Sequence, residues 1–363
     1  MVGTLKDIEF LELLLKEPEI AIEHLDLTYV NDDELTIDRI KEDTVFQYAF
    51  DGSLVKEEGQ LKRIEGLVIP PAWENVRITH LPNGHLQAVG RDVKHRKQYR
   101  YHPTWTKVRN QTKFYKMISF GEQLPKIRER VDQDLDQREW SKSKVLALVI
   151  RLMEETHIRI GNEQYAKRNK TYGLSTLRTR HVNTFKDKLK FEFKGKKGKQ
   201  HKITLRNKRL VRLVNRCEEI PGWELFQYYD AKGNKHSIDS GMVNDYLHKI
   251  SGALFTAKDF RTWSGSIVFF ESLMAMKLPK TAKQMHKNVL AAYDSTAKEL
   301  GNTRNVCRKY YVHPMLASKY ESCHLKEEFE KVDGLEEAMP FFSPSEQVVL
   351  DFIKSYKLLL EPN

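Results

Sequence analysis

The spacing of apolar residues changes once along the chain, and this change limits the folds open to it. From about Leu27, short stretches of alternating apolar and polar residues are separated by turn signals, including an Asp-Gly pair at 51–52 and an Asn-Gly pair at 83–84. Such alternation between tight turns predicts β-strands. From Lys107 onward, longer segments place apolar residues at helical intervals, which predicts α-helices. The sequence therefore predicts an α+β fold, with a small β-rich N-terminal domain followed by a mainly α-helical domain.

One segment inside the helical half departs from the helical pattern. Leu189, Phe191 and Phe193 alternate with charged residues, and the alternation resumes at His201 after a turn crowded with lysines. Period-two alternation on both sides of a Gly- and Lys-rich turn predicts a β-hairpin. The helical domain is therefore expected to carry an embedded β-hairpin whose tip is strongly cationic.

Segment boundaries follow from these patterns. Strands are predicted at 45–50 and 85–89, and helices at 143–155 and 282–300, the last ending at Gly301 as a helix C-cap. A chain of 363 residues is long enough for two domains, given about 100–200 residues per domain. The predicted divisions are an N-terminal acidic helical extension at 1–26, a β-rich domain at 27–105, a mainly helical domain at 106–318 and a C-terminal acidic helical extension at 319–363.

Charge is distributed unevenly along the chain. The formal net charge is +11, yet residues 1–44 carry a net charge of −9 and residues 321–363 carry −6, which leaves +26 on residues 45–320. A solvated lysine-rich surface would explain a single basic run, but here basic and aromatic residues interleave. A cationic centre of this size predicts a polyanionic partner such as nucleic acid.

Two windows concentrate this positive charge. Residues 84–116 contain nine Lys and Arg residues and a single acid, Asp92, and residues 165–212 contain seventeen Lys and Arg residues and two acids. Cations at this density can neutralise several phosphates, so binding should weaken strongly with salt. The tyrosines and Gln98 between them can hydrogen-bond phosphates or reach base edges. Because the windows lie in different predicted domains, we expect a monomer that clamps duplex DNA.

Several protein classes are excluded by what the sequence lacks. No apolar run is long enough to span a bilayer, and the acidic start lacks the basic region of a signal peptide. Three cysteines without CxxC spacing favour reduced thiols over disulfides or a zinc site. The sequence contains no GxxxxGK[ST] loop for a nucleotide and no paired-acid pattern for two metal ions. We therefore expect a cytoplasmic, nucleoid-associated protein that uses no nucleotide, no metal ion and no other cofactor.

Four groups of residues, in a fixed order, are similar to the catalytic motifs of one enzyme family. They are residues 156–162 (THIRIGN) with 172–178 (YGLSTLR), residues 191–196 (FEFKGK), residues 255–263 (FTAKDFRTW), and residues 300–303 (LGNT) with 306–314 (VCRKYYVHP). These segments resemble the motifs of type IB DNA topoisomerases of the bacterial and poxvirus-like branch. Residues 90–92 and 96–101 resemble the DNA-contacting stretch of that branch's N-terminal domain, and the similarity covers roughly residues 30–315.

The resemblance implies an activity and a set of site residues. Members of the family relax supercoiled duplex DNA by cutting one strand with a tyrosine, through a 3′-phosphotyrosyl intermediate, without ATP or metal. The implied catalytic residues are Arg159, Lys196, Arg261, Asn302 and Tyr311. The implied DNA-binding residues are Arg96, Gln98, Tyr99, Tyr101 and Lys258. Tyr311 is preferred to its neighbour Tyr310 because it follows Asn302 by nine residues, the interval found in the family.

These residue types suit the implied chemistry. Attack on a phosphodiester adds negative charge to the non-bridging oxygens, and the guanidinium groups of Arg159 and Arg261 are rigid, permanently charged donors for them. Asn302 adds a neutral donor. Lys196 is expected to act as general acid on the 5′ oxygen. Tyr311 is expected to be the nucleophile, in a cationic pocket that favours its phenolate.

Two positions depart from the poxviral pattern, and two other functions stay open at this point. Poxviral members carry histidine where Asn302 stands and glycine where His95 stands. A tyrosine site-specific recombinase would use similar chemistry, but that family usually has histidine where Lys258 precedes Arg261 by three residues. A non-catalytic duplex DNA-binding protein would explain the charge without Tyr311 taking part in a reaction.

Overall fold

The structure is a computed structural model, and it describes residues 10, 13–14, 16–42, 45–185, 187–252 and 255–355. The described chain divides into two compact units, with the division between Tyr115 and Lys116. The sequence placed its boundary between residues 105 and 106, near the start of the same helix. Much of the N-terminal extension predicted at 1–26 lies outside the described residues. The four-part division of the chain stays a prediction.

The first unit is built on a six-stranded antiparallel sheet. Its strand order is β3-β2-β1-β4-β5-β6. The strands are β1 (Ile37–Glu42), β2 (Val45–Phe50), β3 (Ser53–Leu54), β4 (Glu74–Ile78), β5 (Leu86–Arg91) and β6 (Lys97–Tyr101), and the helices are α1 (Pro18–Ala21) and α2 (Glu58–Gly66). Alternate apolar side chains of the sheet, among them Ile37, Val76 and Ala88, are buried together with Ile64 of α2. The strands predicted at 45–50 and 85–89 are confirmed by β2 and β5.

Helices make up most of the second unit. Helix α3 (Pro103–Asp136) runs into it from the first unit. The further helices are α4 (Lys142–Thr156), α5 (Glu163–Asn169), α6 (Lys208–Glu218), α7 (Ser240–Ser251), α8 (Ala257–Met276), α9 (Ala282–Glu299), α10 (Arg304–Tyr310), α11 (Pro314–Glu321), α12 (Lys326–Gly334) and α13 (Pro344–Ile353). The predicted helices at 143–155 and 282–300 correspond to α4 and α9, and Gly301 follows α9 with φ +61°. Within the described residues, no helix is both long and apolar enough to cross a bilayer.

The second unit also contains the predicted hairpin. Strands β8 (Lys188–Lys194) and β9 (Gln200–Leu205) pair antiparallel, and β7 (Val182–Phe185) adds a third strand that the sequence analysis did not identify. A further short pair, β10 (Gln227–Tyr229) and β11 (Lys235–Ser237), lies later in the chain. The predicted alternation of apolar and charged residues is present in the hairpin, since Leu189, Phe191 and Phe193 are buried in the core of the unit. The α+β prediction, with its embedded hairpin, is confirmed.

Helix α13 belongs to the core of the second unit. Val348, Val349, Leu350 and Ile353 are buried in the same apolar cluster as α8. The buried carboxylate of Glu346 accepts hydrogen bonds from Arg128 at 2.7 and 2.8 Å. This part of the acidic C-terminal extension is therefore a packing helix.

Candidate active site

Helix α8 holds Arg261 in a buried position. The helix begins with a capping box in which Thr256 and Asp259 satisfy the first backbone donors. Arg261 follows in the next turn, and its side chain is only 4% exposed. One terminal nitrogen donates to the backbone oxygen of Leu300 at 2.7 Å, and the other donates to that of His157. These contacts tie the guanidinium to the segments that carry Asn302 and Arg159.

Arg159 lies in an extended segment after α4. The helix ends with His157 in the left-handed conformation at φ 52°. The backbone oxygens of Arg159 and Ile160 then accept from the amides of Leu174 and Ser175 at 2.8 and 2.7 Å. This pairing requires close approach, because a Cβ on Gly173 would lie 2.4 Å from the oxygen of Arg159. The two motif segments at 156–162 and 172–178 are thus one structural element.

Arg159 and Asn302 contact each other directly. A terminal nitrogen of Arg159 donates to the side-chain oxygen of Asn302 at 2.5 Å. Because an arginine only donates, this contact fixes the amide so that its NH2 group remains as a donor. Asn302 itself follows the turn at Gly301, and its backbone amide donates to Ala297 at 2.8 Å.

Tyr311 is the C-cap residue that follows helix α10, and it packs against the helix that carries Arg261. Its backbone amide donates to Cys307 at 3.0 Å, and its backbone oxygen accepts from the Ser266 hydroxyl at 3.2 Å. A Cβ on Gly265 would lie 3.0 Å from the Tyr311 Cβ, so the absence of a side chain there lets α10 approach. The Arg261 guanidinium carbon lies 5.3 Å from the centre of the Tyr311 ring.

The electrostatics of this cluster favour a reactive phenol. Burial alone would raise the pKa of Tyr311, but the charges of Arg261 and Arg159, together with their hydrogen bonds to the phenol, lower that pKa below its ordinary value. Burial and the neighbouring charge of Arg159 lower the pKa of Arg261 to about 10. The Arg261 guanidinium therefore remains charged near neutral pH. Burial raises the pKa of the nearby Cys307 thiol to about 11, which makes it a poor nucleophile.

Two donors at the site are buried and unpaired. Arg261 Nε and Asn302 Nδ2 have no hydrogen-bond partner among the described residues. Leaving a buried donor without a partner costs about 1–3 kcal/mol. Such unpaired donors beside a nucleophile are suited to receive anionic oxygens. In the described part of the chain, no group of three or more His, Cys, Asp or Glu side chains is arranged to hold a metal ion.

Lys196 lies at the tip of the hairpin and is exposed. Among the described residues, its ammonium group makes no hydrogen bond to the other four predicted catalytic residues. The base of the same turn is linked to the segment that carries Asn302, because the ring of His201 lies against both Gly195 and Gly301. The structure thus brings together Arg159, Arg261, Asn302 and Tyr311, and it connects the turn of Lys196 to Gly301 through the His201 ring.

The predicted DNA-contacting residues of the first unit lie on and beside β6. Tyr99 and Tyr101 stack with ring centres 5.9 Å apart, and Tyr99 is 43% exposed while Tyr101 is half-buried. Asp92 accepts from Arg96 at 2.8 Å and from Gln98 at 3.1 Å. Arg96 lowers the pKa of Asp92 to about 2. The single acid of this basic window therefore orders two of the predicted contact residues.

Two further positions explain features of the sequence. His95 adopts φ 54°, the left-handed region that glycine favours, and this is the position where poxviral members carry glycine. Lys258, the fifth predicted DNA-binding residue, is exposed on the first turn of α8. Sequence reasoning did not identify Gly265 and Ser266 as supports of Tyr311. Its only available signal was a glycine inside a helix, where glycine is unfavourable unless packing requires it.

Comparison with known proteins identifies the family. Residues 101–336 match the family model for the catalytic core of eukaryotic DNA topoisomerase I, and residues 45–92 match that for the N-terminal domain of bacterial DNA topoisomerase IB. The chain belongs to the type IB DNA topoisomerase family. The resemblance of its motifs to this family, and the expectation of an enzyme, are confirmed.

Viral members are among the relatives of this topoisomerase. The DNA topoisomerase 1B of Acanthamoeba polyphaga mimivirus is 33% identical over 287 residues, which is 77% of this chain and 85% of the relative. The DNA topoisomerase 1 of rabbit fibroma virus is 27% identical over 62% of this chain and 68% of the relative. The vaccinia virus (strain Copenhagen) enzyme, DNA topoisomerase 1B, is 21% identical over 62% of this chain and 69% of the relative.

The predicted residues are distributed unevenly over the matched regions. All five predicted catalytic residues lie within 101–336, the range matched to the catalytic core. Arg96, Gln98 and Tyr99 lie between the two matched ranges. Helix α13 lies beyond the matched core, although its side chains are buried in the same unit.

Proposed function

We propose that this topoisomerase relaxes supercoiled duplex DNA by cutting one strand with Tyr311, allowing the cut strand to rotate, and resealing it. The observation that carries the proposal is the Tyr311 phenol beside two guanidinium groups, which together lower its pKa. The phenolate is the attacking form of tyrosine, and a lowered pKa makes it more accessible near neutral pH. The neighbouring unpaired donors on Arg261 and Asn302 support the same assignment.

The cleavage step exchanges one phosphoester for another. The Tyr311 oxygen bonds to phosphorus while the bond from phosphorus to the 5′ oxygen of the next nucleotide breaks. The DNA is then joined to the enzyme by a 3′-phosphotyrosyl bond, and the freed 5′ hydroxyl reverses the step. Because the bond energy is conserved in the intermediate, neither ATP nor another energy source is needed.

The other catalytic residues divide two tasks between them. Arg159, Arg261 and Asn302 donate hydrogen bonds to the non-bridging oxygens, where negative charge accumulates in the transition state. Lys196 supplies the proton to the leaving 5′ oxygen as general acid. These fixed cations stabilise the phosphate without a divalent metal ion.

DNA binding involves both compact units. The basic windows at 84–116 and 165–212 fall largely in different units, and we assign contacts with phosphates and base edges to Arg96, Gln98, Tyr99, Tyr101 and Lys258. We further propose that the enzyme acts as a monomer that clamps duplex DNA in the cytoplasm, at the nucleoid. Light scattering of the purified protein should give the mass of one 42.6 kDa chain, and a stable dimer would contradict this part of the proposal.

The decisive experiment maps the covalent bond. The enzyme is mixed with DNA labelled at the 3′-phosphoryl side or the 5′-hydroxyl side of the cut, stopped with denaturant, and digested to find the modified residue. We expect label on Tyr311 from the 3′-phosphoryl side alone. Tyr311→Phe should abolish the adduct and plasmid relaxation while DNA binding persists, and Tyr310→Phe is the matched control that should retain both.

The cofactor requirement is tested with the same enzyme. Relaxation of a supercoiled plasmid that has no recombination site should proceed with EDTA and without ATP. An adduct at another residue, or an absolute requirement for magnesium, would contradict the proposal. Plasmid binding without nicking would instead indicate a DNA-binding protein.

A further inference from the structure

His201 occupies a central position that the proposed mechanism does not use. It is the cross-strand partner of Phe193 in the hairpin, and the two rings stack with centres 5.1 Å apart and planes 12° apart. Phe193 is buried in the core of the unit. The imidazole is therefore held in place by a fixed apolar surface on one of its faces.

The edges of the same ring lie against two glycines. A Cβ on Gly195 would lie 2.6 Å from both Cδ2 and Nε2 of His201, and a Cβ on Gly301 would lie 2.8 Å from its Cε1. Gly195 immediately precedes Lys196, and Gly301 immediately precedes Asn302. One ring thus fills the space between the backbone segments that carry two of the proposed catalytic residues.

The backbone hydrogen bonds within the turn that carries Lys196 are internal. The amide of Gly195 donates to Lys199 at 2.7 Å, and the amide of Gly198 donates to Gly195 at 3.0 Å. Just before the turn, the backbone oxygen of Lys194 accepts from the amide of Tyr172 at 2.8 Å, which ties the end of the strand to the segment paired with Arg159. The contact of the His201 ring with Gly195 and Gly301 adds a second tie, toward the segment that carries Asn302.

The ring makes this contact without adding charge to the pocket. Burial, followed by the charges of Arg159, Lys199 and Arg261, lowers the pKa of His201 to about 4. The imidazole is neutral near neutral pH, so its contribution at that pH is steric. A proton on it would add to the repulsion among these three cations.

We propose that His201 is a positioning residue, whose ring wedges between Gly195 and Gly301 and so fixes Lys196 relative to Asn302 and the scissile phosphate. This inference rests on the proposed function of Lys196 as general acid. The role of His201 is then to aim the proton donor at the leaving oxygen.

The test uses two DNA substrates that differ in one atom. In the first, the leaving group is the natural 5′ oxygen, whose conjugate acid is an alcohol and too weak an acid for the alkoxide to leave readily, so it needs a proton. In the second, sulfur replaces that oxygen, and a thiol with a pKa of about 8.5 leaves readily without one. Single-turnover formation of the covalent adduct is measured for both substrates. Only a defect in proton delivery is corrected by sulfur.

We expect His201→Ala to slow cleavage of the oxygen substrate about 10- to 100-fold, since a displacement of about 1 Å of a catalytic group can cost about 10²-fold. With the sulfur substrate its rate should be within about threefold of the unmodified enzyme. Lys196→Ala is the reference variant. We expect it to slow adduct formation with the oxygen substrate about 10²- to 10⁴-fold and to restore the rate with the sulfur substrate.

Gly195→Ala supplies an independent probe of the same contact. The Gly195 backbone is extended, with φ −96° and ψ −164°, so alanine fits the backbone and meets only the His201 ring within 3 Å. We expect Gly195→Ala to slow the oxygen substrate and to recover on sulfur. In a protein that already carries His201→Ala, adding Gly195→Ala should not slow cleavage of the oxygen substrate any further. Gly334→Ala, with no atom within 4 Å of the added Cβ, is the matched control and should behave as the unmodified enzyme.

The outcomes separate this inference from the function on which it rests. If Lys196→Ala slows both substrates alike, Lys196 is not the acid, and the proton step of the proposed function fails together with the inference. If Lys196→Ala recovers on sulfur but His201→Ala is equally slow on both substrates, or is not slow at all, the positioning role alone is overturned. The positioning role of His201 would also be overturned if Gly195→Ala slowed cleavage by the same factor in the presence and in the absence of the His201 ring.

Discussion

The buried contact between Arg128 and Glu346 predicts that the C-terminal helix α13 is essential for the stability of the catalytic unit. The Glu346 carboxylate accepts two hydrogen bonds from Arg128 at 2.7 and 2.8 Å, and one from Trp263 Nε1 at 2.8 Å. Its side chain is 10% exposed, and that of Arg128 is 15% exposed. The Trp263 ring in turn fills the space beside Gly121 and Leu350. Helix α13 is thereby fixed to α3 and to α8, the helix that carries Arg261.

We predict that Glu346→Ala lowers the free energy of unfolding of the second unit by about 3–5 kcal/mol. Removing one partner of a buried ion pair leaves the other charge without compensation, and losses of about that size result. Because Arg128 keeps a contact with Glu154 at 2.8 Å, we expect the loss to lie nearer the lower limit of this range. For a unit of this size the loss corresponds to a fall in melting temperature of about 6–20 °C. Glu346→Gln should lose less, because its amide oxygen can still accept from Trp263.

Differential scanning calorimetry of the full chain measures this loss in the transition assigned to the second unit. The matched control is Asp294→Ala, which removes an ion pair with Arg304 whose side chains are 51% and 48% exposed. Such a surface pair contributes about 0–1 kcal/mol. A Glu346→Ala loss no larger than that of the control would refute the argument that α13 is held by this buried pair.

The same variant has a distinct pH dependence. Burial would raise the pKa of Glu346, but the hydrogen bonds and charge of Arg128 outweigh it and hold the pKa below its ordinary value. A carboxylate with a lowered pKa stabilises the folded state above its unfolded pKa of about 4.3, and that stabilisation is lost as the pH falls through the folded pKa. The difference in stability between the unmodified enzyme and Glu346→Ala should therefore shrink in acid below about pH 4.3.

Four further predictions concern the site and its DNA contacts. Gly265→Ala should slow adduct formation about tenfold or more, because its Cβ would lie 3.0 Å from the Tyr311 Cβ and backbone oxygen and a small displacement of a nucleophile lowers the rate strongly. The control variant Gly334→Ala should form the adduct at the rate of the unmodified enzyme. Equal rates for the two variants would contradict the packing argument. The rate of adduct formation should rise with pH with a midpoint below that of free tyrosine, about 10, since the pKa of Tyr311 is lowered. Arg159→Ala should move this midpoint upward, and a midpoint at or above that of free tyrosine in the unmodified enzyme would exclude the lowered pKa. Asn302→Ala should slow cleavage about 10- to 10³-fold. Asn302→Asp should cleave more slowly still, because its carboxylate would pair with Arg159 and repel the phosphate. An Asp variant that cleaves faster than the Ala variant would contradict the role of Asn302 as a donor. Arg96→Ala should weaken DNA binding and reduce the slope of log affinity against log salt by about 0.9, and an unchanged slope would show that Arg96 does not contact a phosphate.

The fold could be predicted from the sequence where local pattern and tertiary burial agree. The alternation at 189–205 predicted the hairpin correctly because one face of each strand is buried against the helical core. The turn pair at 51–52 marked the end of β2 because the backbone adopts positive φ at both residues. Strand β7 was missed because four residues, Val182–Phe185, are too few to show a period. Its pairing with β8 is decided by tertiary contact.

The site could be predicted only as a set of reactive side chains. Motif similarity identified Arg159, Arg261, Asn302 and Tyr311, and the structure places these four together. The residues that position them carry no chemical signature in the sequence. Ser266 is an ordinary helix residue until its hydroxyl is seen to donate to the Tyr311 backbone and to accept from the amide of His313 at 2.9 Å.

The difference between reactive residues and the residues that position them also explains why glycines recur around this site. Gly173, Gly195 and Gly265 each leave too little room for a side chain, with atoms at 2.4, 2.6 and 3.0 Å from the position of an added Cβ. In each case the nearest atom belongs to Arg159, His201 or Tyr311. A phosphoryl-transfer site built from large cationic and aromatic side chains needs such close backbone approach, because its donors must converge on one small group. A side chain at any of these three positions would push Arg159, His201 or Tyr311 away from its present place and so weaken the convergence of these groups on one phosphate.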